Sequence, residues 1–197
     1  MTNIALIFGG PSPEHEISIL TGLQAGRILQ DAGNEITSIY WTKQGTWLSV
    51  NPKLEAQEFL KTEIPTSIPL DFIIPEGFVE RKKLKSKKID IDVVLNCTHG
   101  GPGEAGTLSA MLQICGIKVT GPRHEVSNVL MDKLATSKVG EAFGIPGIET
   151  IELNQYDRDI PFNAPWIVKP RYGGSSVGVE SGVEDIVTAK AIYNNGT

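Results

Sequence analysis

Cysteine is nearly missing from this sequence: Cys97 and Cys115 are the only two in 197 residues. They show no metal-ligand spacing. Two reduced thiols in a cytosolic setting is the plain reading. Basic residues do not predominate either: 18 Lys and Arg stand against 23 Asp and Glu, for a net charge of −5. A general nucleic-acid binder needs a basic surface, so no nucleic-acid partner is expected. No apolar run reaches the roughly 20 residues that a bilayer requires, so no membrane partner is expected. The start, Met1-Thr2-Asn3-Ile4-Ala5-Leu6-Ile7-Phe8, lacks the basic opening and cleavage site of a secretory signal and reads as a first strand.

What is present fits a globular α/β protein. Hydrophobic residues make up 40% and charged residues 21%. The 21 glycines and 12 prolines suit many tight turns. The length fits one large domain, or one domain and part of a second.

Ile4 to Phe8 is a continuous apolar run, the mark of a strand covered on both faces. Gly9-Gly10 turns the chain. From Pro13 to Ala32 the apolar residues Ile17, Leu20, Leu23, Ile28 and Leu29 recur at helical spacing. Ser12 is the expected N-cap, with Pro13 at the first helical position and Gly33 at the stop. Ile36 to Trp41 is a second strand, which completes a βαβ unit. A short strand follows at Trp47 to Val50. Asn51 to Lys88 is hard to read, interrupted by Pro65, Pro69 and Pro75. Its basic run, Arg81 to Lys88, reads as an anion patch or as a solvated loop or hairpin. The absence of interleaved aromatics favours the second.

Ile91 to Asn96 is another buried strand. His99 to Gly106 is a glycine-rich loop, Thr107 to Cys115 a helix, and Lys118 to Thr120 a short strand. Gly121-Pro122 closes the first domain. Asp132 caps a helix from Lys133 to Phe143. Strands are expected near Glu149–Leu153 and Trp166–Pro170, then a glycine loop and another strand. Asp185 to Tyr193 has helical spacing.

Three places hold residues suited to chemistry. Phe8 to Ser18 lies where a first strand meets its helix, which is where open α/β sheets bind ligands. There Glu14 is placed either to accept hydrogen bonds from a substrate ammonium or, with Glu16, to complement the helix dipole. His99, followed by glycines after a second strand, is suited to bonding a ligand at close range or to a simple turn. Having two such loops at strand ends favours the ligand. The third place is Val168 to Gly178. Lys169 ends an apolar strand, and Gly173, Gly174, Ser175 and Ser176 supply backbone N–H groups and hydroxyls that grip phosphate. Lys133, taken alone, reads as a surface lysine.

Four ordered motifs give these residues a common context: Phe-Gly-Gly-x-Ser-x-Glu-His-Glu-Ile-Ser at 8–18, His-Gly-x-x-Gly-Glu-x-Gly-Thr-Leu at 99–108, Met-Asp-Lys at 131–133 and Val-Lys-Pro…Gly-Ser-Ser-Val-Gly at 168–178. In these motifs the chain resembles the N-terminal part of a D-alanine–D-alanine ligase, of the ATP-grasp superfamily, from Asn3 to about Gly182. The resemblance implies a Rossmann-like parallel-sheet domain over 1–122, then the first lobe of an ATP-grasp domain over 123–197. It implies that ATP phosphorylates one D-alanine and that the amine of a second attacks the acylphosphate, making a peptidoglycan precursor in the cytoplasm.

By the same resemblance, Glu14 binds the ammonium of the first D-alanine and His99 lines that pocket. Lys133 and Lys169 bind ATP phosphates. Gly174, Ser175 and Ser176 belong to the loop covering them, and Ser175 helps to orient the Glu14 side. A homodimer through the first domain is implied. Magnesium is implied too, but the family's Asp and Glu-x-Asn ligands do not follow Gly178. Glu152-Leu153-Asn154 has that form but lies before the glycine loop and is set aside. The chain is therefore expected to be a portion incomplete for catalysis. Related readings are a ligand-binding fragment without catalysis, a D-alanine–D-lactate ligase or another amino-acid ligase. Two departures from the family pattern stand at Ala105, where Asp is usual, and at Ser109-Ala110, where Gln-Gly is usual.

Overall fold

The computed structural model describes residues 2–61, 63–81 and 86–195. It falls into two compact units, Met1–Ser127 and Asn128–Thr197, and the family-like motifs are shared between them.

The first unit is built on one sheet. Strand β1 (Ile4–Gly9) is followed by helix α1 (His15–Asp31) and β2 (Ile36–Trp41), and β2 pairs parallel to β1. The chain then runs through β3 (Trp47–Val50), a 3-10 helix at Ala56–Leu60, β4 (Ile68–Ile73), β5 (Gly77–Arg81) and β6 (Ser86–Lys88). These four strands extend the sheet antiparallel from the β2 edge. On the other side of β1 lie β7 (Val93–Asn96) and β8 (Lys118–Val119), both parallel. Between them come α2 (Gly101–Glu104) and α3 (Thr107–Ile114). The strand order is β6-β5-β4-β3-β2-β1-β7-β8.

The apolar run of β1 is covered on both faces. Ala5 and Ile7 join a cluster with Leu108 and Leu112, while Leu6 and Phe8 join another with Ile19 and Leu23. Successive residues of a strand face opposite ways, so an unbroken apolar run requires cover on both sides.

Helix α1 differs from its expected form at both its start and its face. It begins at His15, with Glu14 in the capping position. Ser12 instead forms a preceding turn, its Oγ accepting from Glu14 N at 3.0 Å. The buried face is His15, Ser18, Ile19, Gly22, Leu23 and Gly26, whereas Ile17, Leu20 and Ile28 are exposed. The reason is close approach. A Cβ at Gly22 would stand 2.5 Å from Phe8 Cβ, so this face must carry small residues.

The stretch 51–88, illegible in the sequence, holds the 3-10 helix and the strands β4, β5 and β6 of the antiparallel extension. Of its basic run, Arg81 ends β5 and Lys87 and Lys88 lie in β6, which pairs antiparallel with β5; residues 82–85 lie outside those described. The loop expected at 99–106 includes α2.

The second unit holds the end of α4 (His124–Met131), then α5 (Lys133–Ala142), β9 (Trp166–Val168), β10 (Glu180–Val183) and α6 (Ile186–Asn195). β9 and β10 form an antiparallel pair that flanks the glycine loop. The Asp132 cap is present: its Oδ1 accepts from Leu134 N and Ala135 N, both at 3.0 Å. The strand expected at Glu149–Leu153 is absent. No strand pairs with this segment. Leu153 packs with Ile160 and Val183, and Glu152 is engaged through its side chain.

Candidate functional site

Strand order sets the site in the first unit. From β1 the sheet continues to β2 on one side and to β7 on the other. The chain therefore leaves the carboxyl ends of β1 and β7 in opposite directions, opening the crevice where α/β sheets take ligands. The motifs at 8–18 and 99–108 both begin at those ends.

Two buried side chains lock the crevice wall. Ser18 Oγ accepts from Gly9 N at 2.6 Å and donates to Cys97 O at 2.8 Å, tying the ends of β1 and β7 together. His15 is 3% exposed. Its Nδ1 lies 2.7 Å from Gly10 O and its Nε2 2.8 Å from Tyr40 Oη. Both residues belong to the first motif, and the structure gives them framework roles that spacing did not reveal.

Glu14 makes no side-chain bond to its own helix N-terminus. Its carboxylate lies against the second loop instead. A Cβ at Gly100 would be 2.7 Å from Glu14 Oε2 and 2.5 Å from Ser12 Oγ, so only glycine lets the loops meet this closely. Gly100 also has φ of +64°, which suits glycine best. Its N–H donates to Glu104 Oε2 at 2.7 Å. The next residue back, half-buried His99, has Nε2 2.9 Å from Thr21 Oγ1. The structure thus brings the Glu14 carboxylate onto the loop that carries His99. An ammonium placed there would meet a carboxylate beside the hydrogen-bonding groups of the second loop.

Beside this loop is a cleft of about 240 Å³ lined by Asn96, Thr98, His99, Glu104, Ser109 and Ser127, among others. Ser109, a departure from the family pattern, is buried and accepts from Gln113 Nε2 at 2.9 Å. Ala105, the other departure, follows Glu104 as the C-cap of α2.

The second unit holds the phosphate-type loop. Lys133, the first residue of α5, donates from Nζ to Gly173 O at 2.7 Å, and its backbone N–H donates to Arg171 O at 3.1 Å. Burial lowers the Lys133 ammonium below the ordinary lysine range, and the nearby charge of Lys169 lowers it further. Lys169 is exposed, just after β9. Lys133 thus bonds the glycine loop directly, and Lys169 lies close enough for its charge to act on Lys133. Ser175 and Ser176 take left-handed backbone angles, φ of +50° and +57°, sparsely populated by residues other than glycine. Gly174 O accepts from Val177 N at 3.2 Å, which rounds the loop.

Sequence reasoning missed Arg171. It lies in the fourth motif, but its partner Asp132 lies 39 residues upstream, and no spacing rule connects them. Nε donates to Asp132 Oδ1 at 2.9 Å and Nη2 to Oδ2 at 2.6 Å, while Nη1 reaches Glu152 Oε1 at 2.9 Å. Tyr172 Oη donates to Asp132 Oδ2 at 3.2 Å. Arg171, then the Ala135 N–H, hold the Asp132 carboxyl well below the usual carboxylate range, with Tyr172 adding to them. Glu152 is thus paired with Arg171 and Asn154 with Asp157. Among the described residues no group of three or more His, Cys, Asp or Glu could hold a metal ion. The implied magnesium therefore has no ligand set among them. No helix among the described residues is long and apolar enough to cross a membrane.

A family model described as D-ala D-ala ligase N-terminus matches residues 3–122. The D-alanine--D-alanine ligase of Sulfurovum sp. (strain NBC37-1) is 32% identical over 179 residues, covering 90% of this chain and 51% of that protein. That of a Nitratiruptor species is 35% identical over 176 residues, covering 89% and 50%. The chain spans about half the length of these curated relatives. Among solved structures, D-Alanine-D-Alanine Ligase from Helicobacter pylori is 28% identical with a TM-score of 0.85, covering 98% of this chain and 60% of that one. VanG D-Ala:D-Ser Ligase from Enterococcus faecalis is 26% identical with a TM-score of 0.78, covering 98% and 58%.

Proposed function

Because this chain belongs to the D-ala D-ala ligase N-terminal family, we propose that it supplies the first-substrate site and one ATP-gripping lobe of a D-alanine–D-alanine ligase. The observation that carries this reading is the Glu14 carboxylate set against Gly100, beside His99, at the β1/β7 switch point. Glu14 pairs with the ammonium of the first D-alanine, and His99 lines the pocket. The carboxylate of that D-alanine is left for phosphorylation.

Lys133 and Lys169 neutralise ATP phosphates, while Gly174, Ser175 and Ser176 form the loop over them. Charge on the transferring phosphoryl group is met by fixed cations and backbone donors, which stabilise it without reorganisation. Magnesium, when bound, would supply further positive charge to the phosphates, but the described residues offer no ligand set for it. The dipeptide product feeds peptidoglycan precursors, and the need for ATP sets the reaction in the cytoplasm. The protein pairs as a homodimer through the first unit, a reading supported by the exposed α1 residues Ile17, Leu20 and Ile28. A D-Ala:D-Ser ligase such as the VanG neighbour shares this half of the fold, so the two readings differ in the second substrate.

Calorimetric titration of the 197-residue chain with D-alanine and with L-alanine tests the site. Saturable heat with D-alanine, and much weaker binding of L-alanine, is expected. Equal binding of both enantiomers, or none of either, would overturn the first-substrate assignment.

A further inference from the structure

Asp132 does more than cap a helix. Its two oxygens take five donors: Leu134 N, Ala135 N, Arg171 Nε, Arg171 Nη2 and Tyr172 Oη. The residue is 7% exposed. Arg171 meets it in the two-point geometry that a planar guanidinium alone supplies. A third nitrogen of the same guanidinium bonds Glu152. Arg171 O then accepts from Lys133 N at 3.1 Å and lies 3.5 Å from Lys133 Nζ.

The start of α5 and the start of the glycine loop are therefore fastened twice, by side chain and by backbone. Lys133 sits one residue beyond Asp132. Lys169 sits two residues before Arg171. Both lysines assigned to phosphate are thus within two residues of this fastening.

From this juxtaposition we propose that Arg171 and Asp132 are positioning residues for nucleotide phosphate. Their bidentate pair holds Lys133, Lys169 and the loop 173–178 in the gripping arrangement without touching the ligand. The proposal rests on the ATP reading of the loop. A helix cap alone would demand only an oxygen at position 132, and asparagine caps as well as aspartate. A positioning pair demands the charge and both oxygens.

The test is nucleotide affinity of the 197-residue chain, measured with ATP and separately with inorganic tripolyphosphate, for the parent, Asp132→Asn, Arg171→Ala and the double variant. Asp132→Asn keeps the oxygen that caps α5 but turns an NH2 group toward Arg171 and Tyr172, so the chain should stay folded with a lowered thermal unfolding midpoint, and affinity is compared well below that midpoint. Affinity for both ligands should nevertheless fall by about tenfold or more, since charge-assisted paired bonds are among the stronger ones. Arg171→Ala should lose a similar factor, and the double variant little beyond either single change, because both remove one interaction. Arg171→Lys, which cannot make the fork, should not restore affinity. Parent-like affinity in Asp132→Asn would overturn the proposal and leave Asp132 a helix cap. Losses that multiply in the double variant would also overturn it. A parent chain that binds neither ATP nor tripolyphosphate would overturn the ATP reading itself, and the proposal with it.

Discussion

Glu14 separates two uses of a carboxylate that the sequence leaves level, serving its own helix end or serving a ligand. Its side chain makes no cap bond and lies against Gly100, so the structure weakens the first use. Glu14→Gln keeps shape and removes charge. D-alanine affinity, by calorimetry, should drop at least about thirtyfold, the cost of removing one member of a buried charge pair. Unchanged affinity would remove Glu14 from the site. Cys97 shows the opposite limit, a residue whose chemistry is suppressed. Burial pushes its thiol up to about 11 from the usual 9.0. A thiol that ionises more easily once unfolded makes the folded state lose stability as pH rises from about 9 through 11, with no change below that window. Ellman's reagent at mildly alkaline pH, below that window, should therefore modify half-buried Cys115 well before Cys97. Equal rates in the folded chain would contradict the burial described here.

At the scale of elements, periodicity revealed where most helices and strands lie, but not which way they face. Helix α1 is legible from its recurring apolar residues, yet Ile17, Leu20 and Ile28 point to solvent, with exposures of 53%, 54% and 62%. The inward stripe holds Ser18, Gly22 and Gly26, residues chosen for close contact with Phe8 and Leu6, and these carry no hydrophobic signal. The strand expected at 149–153 failed for a related reason: a short alternating stretch becomes a strand only when another strand lies beside it. The α5 cap was legible because capping is local. The Arg171 bond to Asp132 was not, because it joins distant positions. The outward face of α1 also bears on assembly. Ile17→Glu with Leu20→Glu should convert a dimer to a monomer in light scattering while leaving the unfolding midpoint nearly unchanged, since neither side chain is in the core. A dimer that persists would reject this face as the interface.

For the whole molecule, the catalytic readings came from the order of motifs more than from any single residue. Sequence physics placed two glycine-bearing turns at strand ends. The sheet order then explains why those two turns meet at one crevice: β1 and β7 are neighbours whose connections diverge. Of the antiparallel extension, β3 was legible as a short strand at Trp47 to Val50, but β4 to β6 were not, because short strands set among Pro65, Pro69 and Pro75 lack the alternation that marks a strand. The ligase reading is tested most directly by extending this chain with the C-terminal half of the Helicobacter pylori ligase and measuring phosphate release. The account predicts release that requires ATP and D-alanine, is not supported by L-alanine, and falls at least about a hundredfold in Glu14→Gln. A folded extended chain that releases no D-alanine-dependent phosphate would contradict it.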